Sequence, residues 1–458
     1  MAATLAVVLD RDDRRPLGGQ LADQIRRQVT DGRLAAGDRL PSSRALATEL
    51  GVARAVTEVA YGQLVAEGWL EGRHGSGTFV SASAPATPTP SRTRRRAPTP
   101  RPLLRLDAGT PWIDPRYTTL WRRAWRDVST ARPPAGYDDP RGLPELRTEI
   151  AARLGRIRGL DCDPDEVLVT AGTTDGLRHL LGVLPPGPVT VDDPGYRAAV
   201  TTIRLAGREV VDLPALGPPP DATTLSTCAG AYVTPAHQHP LGPTMSGSAR
   251  LALLDASRAS GALVIEDDYD SEFRYDVAPV PALASLDRTR VAYLGTASKT
   301  VAPSMRLGWM VPPPALLDPL NQMRAITHDT ASWPVQRAYL SLLRDGYVDK
   351  VVRSARRTYA ERSERVAAAL APYSRTTGPI AGMYATLELP RAQAQAAHAS
   401  ARTKGYDVPL LADYCRSTTR HGLVIGFGGC TDAQLDEALA AIVRGLRGRD
   451  EMRQTRLP

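Results

Sequence analysis

The sequence is poor in cysteine, in phenylalanine and in long apolar runs. It holds 3 Phe and 4 Cys among 458 residues, and the cysteines form no CxxC pair, so neither a disulfide framework nor a zinc site is expected. No apolar run reaches the roughly 18 residues that a membrane-spanning helix needs. The first ten residues lack the positive start and cleavage site of a signal peptide. These absences favour a cytoplasmic protein with reduced thiols, and they give no reason to expect a membrane.

Acidic residues are missing from residues 81–105, a stretch that holds six arginines. The whole chain carries a net charge of +8, whereas residues 1–80 hold ten arginines and ten acids and are neutral overall. The arginine-rich stretch consists largely of Ser, Ala, Pro and Thr and has no apolar periodicity, so we expect an extended linker over residues 81–106. A basic balance favours a polyanionic partner.

Residues 1–80 show a helical pattern followed by a β pattern. Apolar residues at four-residue spacing predict a helix over residues 17–30, and a serine cap predicts a second helix over residues 44–50. A third helix is expected over residues 53–67, with Val56, Val59, Ala60 and Leu64 on one face. Short β segments at 69–70 and 78–80 flank a Gly-rich tip. Three helices and a hairpin predict a winged helix-turn-helix.

A winged helix-turn-helix fits duplex DNA directly. The third helix can enter the major groove with its first residues on base edges, while the preceding helix start and the wing contact phosphates. The candidate DNA-binding residues are Ser43, Arg44, Arg54, Ala55, Thr57, Arg73, His74 and Gly75. The neutral charge of residues 1–80 leaves open a winged helix that makes protein contacts only.

The string from Pro41 to Val80 closely resembles the DNA-binding domain of the GntR family of bacterial regulators. The resemblance covers about 70 residues, and it implies double-stranded operator DNA as a partner. One departure is Ala53, where the family often has serine at the start of the recognition helix. This change would remove one phosphate hydrogen bond, worth about 1 kcal/mol.

After the linker, short apolar runs alternate with helical stretches. The runs cover residues 167–170, 189–191, 231–234, 263–265 and 291–294. Continuous apolar runs suit parallel strands buried on both faces, and their alternation with helices predicts an open α/β sheet. From about residue 345, long helices and a strand pair near 383–389 and 423–427 predict a smaller α+β lobe. A second domain is therefore expected over residues 107–450.

Polar residues follow these runs, and in open α/β sheets ligands bind beyond the carboxyl ends of the strands. Gly172, Thr173 and Thr174 suit a phosphate at a helix start, and Tyr196 suits a flat ring. The acids of residues 266–268 need a cation nearby, such as a protonated pyridine nitrogen, to offset their desolvation. Lys299 can form a Schiff base, with Thr296, Ser298 and Arg306 around a phosphate. The His-x-His pair at 237 and 239 predicts no metal, because nothing nearby completes a ligand set.

Each of these residues has an ordinary explanation on its own, but the set resembles the fold type I enzymes of the aspartate aminotransferase class, which use pyridoxal 5'-phosphate (PLP). The resemblance implies that Lys299 bonds the PLP aldehyde, Asp267 pairs with the pyridine nitrogen, Tyr269 bonds the ring hydroxyl and Tyr196 stacks on the ring. His239 occupies the position before a proline where those enzymes usually have asparagine, and the resemblance implies that it belongs to the cofactor-binding residues. The implied phosphate ligands are Gly172, Thr173, Thr174, Thr296, Ser298 and Arg306. Which acid of residues 266–268 faces the ring stays open.

The order of the two modules resembles the MocR subfamily of GntR regulators. The resemblance implies a homodimeric transcription factor that responds to PLP, or to PLP together with an amine or amino acid. The strand over residues 422–427 lacks the arginine that grips a substrate carboxylate in aminotransferases, although Arg416 and Arg420 lie nearby in sequence. PLP itself is therefore the expected signal. The alternatives are an active aminotransferase with an appended DNA-binding module, and a scaffold that has lost its cofactor.

Overall fold

The chain divides into two compact units, Met1–Pro100 and Arg101–Pro458. The structure is a computed structural model, and it describes residues 3, 5–73, 76–81, 103–275, 278, 280–373, 376 and 380–454. Most of the expected linker, residues 81–106, lies outside the described residues. Within the described residues, no helix combines the length and the apolar character that crossing a bilayer requires.

The first unit contains three helices and a two-stranded hairpin. These elements are α1 (Leu17–Thr30), α2 (Ser43–Leu50), α3 (Arg54–Ala66), β1 (Leu70–Arg73) and β2 (Gly77–Val80). The two strands are antiparallel, with Leu70 opposite Val80. Aliphatic side chains from all three helices and the hairpin, among them Leu21, Ile25 and Leu64, form one core. The prediction of a winged helix-turn-helix is confirmed.

Helix α2 begins one residue earlier than predicted. Ser42 is its N-cap, and its hydroxyl accepts a hydrogen bond from the backbone N–H of Ala45 at 3.1 Å. Ser43 is thus the first helical residue rather than the cap. Gly51 ends the helix in the left-handed conformation, with φ of 61°, which suits glycine because it lacks a Cβ.

The buried face of α3 differs from the prediction. Val59 is 62% exposed, whereas Thr57 and Tyr61 are buried together with Ala60 and Leu64. The two polar side chains tolerate burial because their hydroxyls donate hydrogen bonds to backbone carbonyls, Thr57 to Ser43 at 2.8 Å and Tyr61 to Pro41 at 2.9 Å. The spacing of apolar residues predicted the wrong face, because it takes no account of hydroxyl groups that make hydrogen bonds inside the core.

The second unit is built around a seven-stranded mixed sheet. The described strands of this unit, both inside and outside that sheet, are β3 (Leu104–Arg105), β4 (Leu168–Thr170), β5 (Val189–Asp193), β6 (Val210–Pro214), β7 (Gly230–Val233), β8 (Leu263–Asp268), β9 (Val291–Thr296), β10 (Gly308–Val311), β11 (Tyr384–Glu388), β12 (Tyr406–Asp407) and β13 (Gly422–Gly426). The sheet has the order β4-β10-β9-β8-β7-β5-β6, in which β10 is antiparallel to both of its neighbours and the other pairs are parallel. The α/β prediction is confirmed, and β6 and β10 are additional to it.

Helices cover both faces of this sheet. The described helices of the second unit, which include those of the smaller lobe, are α4 (Thr118–Thr130), α5 (Pro144–Arg158), α6 (Thr173–Val183), α7 (Arg197–Leu205), α8 (Ala222–Leu225), α9 (Gly247–Ser260), α10 (Leu317–Thr327), α11 (Trp333–Arg344), α12 (Tyr347–Leu370), α13 (Arg391–Thr403) and α14 (Asp432–Gln454). Successive residues of β8 belong to different apolar clusters, Val264 to one and Ile265 to the other. This alternation explains why the strands are apolar throughout.

The smaller lobe pairs β11 with β13 in antiparallel fashion, and β12 with β3 in parallel. The residues after β3, 106–109, form a strap that crosses the lobe. The backbone N–H of Gly426 donates to the carbonyl of Leu106 at 2.8 Å. A Cβ on Gly426 would lie 1.9 Å from the carbonyl oxygen of Asp107, so only glycine lets the strap pass. The strap reaches the carboxyl ends of the sheet strands.

Candidate functional site

A cavity of about 550 Å³ lies at the carboxyl ends of the sheet strands. Ten of the eleven predicted cofactor-binding residues line it: Thr173, Thr174, Tyr196, His239, Asp267, Tyr269, Thr296, Ser298, Lys299 and Arg306. The eleventh, Gly172, is the N-cap residue of α6 and immediately precedes Thr173. Because parallel strands end at one edge of a sheet, residues far apart in sequence meet here.

Lys299 lies just after β9 and points into the cavity. Its Nζ donates a hydrogen bond to the carbonyl of Gly109 in the strap at 2.6 Å. Burial lowers the pKa of this amine, and the carboxylates of Asp107, Asp270 and Asp267 partly oppose that shift. A lysine with a lowered pKa has more of the neutral amine that attacks a carbonyl carbon.

The three adjacent acids of β8 have separate partners. Glu266 accepts hydrogen bonds from the backbone N–H groups of Leu283 and Ala284 at 2.8 and 2.9 Å. Asp268 forms an ion pair with Arg158 at 2.7 Å. Both side chains therefore have structural partners. The sequence left open which of the three acids would face a cofactor ring, and Asp267 is the one that lines the cavity.

The carboxyl group of Asp267 is buried, and only one of its two oxygens has a hydrogen-bond partner among the described residues. Its Oδ2 accepts a hydrogen bond from the hydroxyl of Tyr232, whereas its buried Oδ1 has no hydrogen-bond partner among the described residues. Burial raises the pKa of this carboxyl to about 7. A buried carboxylate oxygen that lacks a partner suits a cationic N–H group of a ligand, such as a protonated pyridine nitrogen.

We expect an Asp267→Asn variant to gain stability relative to the wild-type apo-protein as the pH rises. From about pH 4 to pH 7 the unfolded chain ionises Asp267 while the folded chain keeps it protonated, so wild-type stability falls through this window and levels off above it. The asparagine does not titrate. Urea unfolding of both apo-proteins at pH 5 and pH 8 should show the difference growing by on the order of 2 kcal/mol. A constant difference would mean that Asp267 ionises normally.

The opposite end of the cavity suits a phosphate. Gly172 has φ of 107°, and a Cβ there would lie 3.2 Å from the guanidinium of Arg306. Helix α6 starts at the next residue, so its free N–H groups face this end. Arg306 donates to the hydroxyl of Thr174 at 3.4 Å, and the backbone N–H of Ser298 donates to the hydroxyl of Thr296 at 3.1 Å.

Aromatic rings form the wall between these two ends. The rings of Tyr196 and His239 meet edge to face at 5.5 Å, and burial lowers the pKa of His239 to about 3, so this imidazole is neutral. The hydroxyl of Tyr269 lies 2.8 Å from that of Tyr384 and donates to the carbonyl of His237 at 3.0 Å. Tyr269 thus lines the cavity with its hydroxyl already bonded to protein groups.

Among the described residues, one group has side chains that could ligate a metal ion: Asp175, His179 and Asp329. Arg178 forms ion pairs with both of these carboxylates, at 2.8 Å to Asp175 and at still closer range to Asp329. The cluster therefore already contains its cation. His237, from the His-x-His pair, hydrogen-bonds Asp270 at 2.7 Å.

Sequence reasoning missed several residues of the cavity. Asp107 and Gly109 enter through the strap, and two arginines, Arg105 and Arg197, also line the cavity. Of the two arginines that the sequence suggested, Arg416 hydrogen-bonds Asp212 and the backbone of Asp192, both at 2.7 Å, and Arg420 pairs with Glu388 at 2.9 Å. Neither lines the cavity. Strand β13 supplies no arginine, as the sequence indicated, but the lining contains Arg105 and Arg197, which the sequence analysis did not consider.

The first unit exposes several predicted DNA-binding residues. Arg54 and Ala55 are exposed at the start of α3, where Arg54 pairs with Glu58 at 2.8 Å, and Arg44 is exposed on α2. Ser43 is half-buried. Thr57 does not belong with them, because its side chain is fully buried and both its hydrogen bonds are internal.

The wing presents Arg73, whose guanidinium pairs with Glu71 at 2.6 Å and lies 4.7 Å from the centre of the Phe79 ring. His74 and Gly75 lie outside the described residues. Arg11 and Arg14, which the sequence argument did not consider, line a concave surface with the turn Gly51–Ala53 that precedes the recognition helix. Their position became apparent only from the fold, because no motif marks residues 11–15.

Two family profiles match the chain. The profile of the bacterial regulatory proteins of the gntR family matches residues 17–80, and that of aminotransferase class I and II matches residues 103–442. The chain is 35% identical to PdxR of Corynebacterium glutamicum, an HTH-type pyridoxine biosynthesis transcriptional regulator, over 96% of this chain and 98% of the relative. It is 32% identical to MocR of Rhizobium meliloti, a probable rhizopine catabolism regulatory protein, over 95% of both chains.

The second unit also matches solved aminotransferases. One is LysN, the α-aminoadipate aminotransferase of Thermus thermophilus, whose structure contains N-(5'-phosphopyridoxyl)-L-leucine. The match covers 76% of this chain and 93% of LysN, with a TM-score of 0.66 and 24% sequence identity. At this identity the likeness establishes the fold of the second unit.

Proposed function

The chain belongs to the MocR-type transcriptional regulators of the GntR family, and from this premise we propose that it senses pyridoxal 5'-phosphate, or an amine that reacts with it, through its aminotransferase-like domain. Residues 1–80 would bind operator DNA, residues 81–106 would act as a linker, and residues 107–450 would bind the effector. The relatives that match over nearly the whole chain are named as regulators, which favours regulation over turnover.

The observation that carries the proposal is the cavity with Lys299 and the unpaired oxygen of Asp267 on its walls. Bound PLP would supply an aldehyde that reacts with amines. Lys299 would hold the aldehyde carbon, Asp267 the ring nitrogen, and the start of α6 with Thr174 and Arg306 the phosphate. Tyr196 and His239 would enclose the ring and exclude water. The relative named for pyridoxine biosynthesis supports a signal of this chemical class, because pyridoxine and PLP share one ring system.

We further propose that the regulator acts as a homodimer, because a dimer of winged helices suits two half-sites on one face of duplex DNA. For the cofactor to act as a signal, the protein must bind DNA differently in its apo and PLP-bound states. The coupling between two such sites is typically 1–3 kcal/mol. The linker would let the two DNA-binding units change their spacing between those states.

We expect PLP loading to change DNA affinity about fivefold or more, the lower end of that coupling range. The test uses full-length protein in apo and PLP-loaded forms, with a labelled duplex from the intergenic region beside its own gene, and measures fluorescence anisotropy at fixed salt. A scrambled duplex of equal length is the control. Equal affinity of the fully loaded and apo forms for the intergenic duplex would contradict a PLP signal.

A further inference from the structure

A second cavity, of about 270 Å³, lies beside the cofactor cavity. It is found where β5, β6 and β7 end, and the segment of residues 213–220 forms one of its walls. The described linings of the two cavities share a single residue, Thr234. None of the residues proposed above to hold PLP lines the second cavity, so the proposed function leaves it without a role.

The walls of the second cavity are apolar and stiff. Its lining includes six described prolines, at positions 214, 218, 219, 220, 235 and 243. Proline has a fixed φ, so such walls lose little conformational freedom when a ligand binds. Arg250 holds another part of the wall, because its guanidinium donates to the carbonyls of Pro235 at 3.1 Å and Met245 at 3.2 Å. The cavity is therefore formed before any ligand arrives, as small-molecule sites usually are.

Asp192, on β5, is the one acidic or basic side chain among the described residues that line this cavity. The side-chain amide of Gln238 donates to its Oδ2 at 3.0 Å, whereas its Oδ1 makes no hydrogen bond or ion pair with any residue that the structure describes. Burial raises the pKa of this carboxyl to about 6, so most of it is ionised near neutral pH. The apolar cavity thus contains a carboxylate with one free oxygen.

The charge of Asp192 is not balanced by an ion pair. Arg416, whose charge acts against the rise of this pKa, pairs instead with Asp212 at 2.7 Å. Its other contact here goes to the backbone carbonyl of Asp192, also at 2.7 Å, and not to the carboxylate. A carboxylate beside apolar walls is stabilised by a cation that brings its own hydrogen-bond donor.

We propose that the second cavity is a binding site for a small organic cation, an amine whose apolar body contacts the proline walls and whose N–H group pairs with Asp192. A neutral molecule of the same shape would leave the carboxylate without a counter-charge. The site does not require bound PLP, because the proposed PLP contacts lie in the other cavity. The amine would lie against Tyr232, whose hydroxyl donates to Asp267 of the cofactor cavity.

The probe for this site is N,N-dimethylbenzylamine, a tertiary amine that is cationic near neutral pH and cannot condense with an aldehyde. N,N-dimethylbenzamide, which has a similar shape and no charge, is its neutral counterpart. Ligand-observed NMR titration measures the binding of each to full-length protein, in apo and PLP-loaded forms, at one salt concentration. We expect the amine to bind about fivefold or more tightly than the amide, and equally well to both forms of the protein.

Two substitutions locate the binding. In an Asp192→Asn variant the preference for the amine should disappear, because the new side chain keeps the shape and loses the charge. In an Ala249→Leu variant both probes should bind more weakly, because the larger side chain fills part of the cavity that Ala249 lines. Glu209→Gln is the matched control and should keep the wild-type preference. Glu209 is an exposed acid just before β6 that does not line the cavity.

Three results would overturn the inference. Wild-type protein could bind the amine and the amide equally, or a folded Asp192→Asn variant could retain the preference. Loss of amine binding on PLP loading would place the amine in the cofactor cavity instead. If Asp192→Asn does not fold, Ala249→Leu decides, since unchanged affinity in that variant also contradicts the site. These outcomes leave the proposed function in place, because PLP attachment to Lys299 is measured separately.

Discussion

A Lys299→Ala variant is expected to lose covalent attachment of PLP completely. The chain has three lysines, at positions 299, 350 and 404, and Lys299 is the one that lines the cavity. Its side chain is half-buried, and its amine has a lowered pKa and lies 2.6 Å from the strap carbonyl of Gly109, to which it donates a hydrogen bond. A covalent bond to the PLP aldehyde requires such an amine, so its removal leaves only non-covalent contacts.

The measurement is borohydride reduction of PLP-treated protein followed by peptide mass mapping. Wild-type protein should carry a pyridoxyl group on the peptide that contains Lys299. Lys350→Ala and Lys404→Ala are the matched controls, because each removes one of the other two lysines, and both should label as wild type does. A pyridoxyl mass on Lys350 or Lys404 in wild-type protein, or none anywhere, would show that the cavity is not the PLP site.

The Lys299→Ala variant should keep part of the non-covalent contacts to the PLP ring and phosphate. The residues of the phosphate end lie on α6 and after β9, and none depends on the lysine side chain for its position. We therefore expect Lys299→Ala to retain reversible PLP affinity and a folded core. Near-ultraviolet circular dichroism and equilibrium dialysis would separate this outcome from simple unfolding.

The sequence predicted this cavity well because its residues follow successive strands. Each of Thr173, Tyr196, Asp267 and Lys299 lies within a few residues of the carboxyl end of a buried strand, and such ends share one edge of the sheet. The rule therefore brings together residues more than a hundred positions apart. Applying the rule requires only the positions of the strands, and continuous apolar runs reveal these positions in the sequence.

The same rule could not find the strap or the mouth of the cavity. Asp107 and Gly109 reach Lys299 because Gly426 leaves room for a crossing backbone, and that close approach has no local sequence signal. Arg197 faces the cavity because of where α7 starts, at a helix boundary that sequence patterns fix poorly. The choice of Asp267 among three acids depended on partners far away in sequence, Arg158 for Asp268 and residues 283–284 for Glu266.

In the DNA-binding unit, apolar periodicity predicts where the helices lie but not whether each single residue is buried. The pattern predicted each helix of this unit to within a residue or two, yet it placed Val59 inside and Thr57 outside, the reverse of the structure. Thr57 is buried because its hydroxyl bonds the carbonyl of Ser43 on α2 at 2.8 Å, which links the two helices of the helix-turn-helix. At the start of α3, Arg54 is an exposed charged side chain, and we propose that it exchanges its ion pair with Glu58 for a contact with a base.

Arg54→Ala is expected to weaken specific operator binding by about 1–3 kcal/mol, roughly 5- to 150-fold, the scale of one lost base contact. Arg54 is the first residue of α3, its side chain is 62% exposed, and its partner Glu58 is itself half-exposed, so the guanidinium can leave that ion pair for a guanine edge. Binding of full-length protein to operator and to scrambled duplex is measured by fluorescence anisotropy at one salt concentration.

The control is Arg33→Ala, which removes an exposed arginine of the same unit that also has an acidic partner, Asp31 at 3.8 Å. This variant should leave the ratio of specific to non-specific affinity near the wild-type value. Arg73→Ala on the wing should weaken both duplexes alike and reduce the salt dependence by about one phosphate contact. Arg54→Ala should instead lower the ratio, because a base contact exists only on the operator. An Arg54→Ala protein that loses affinity equally for both duplexes would assign Arg54 to a phosphate, and base readout would then have to come from another residue of α3.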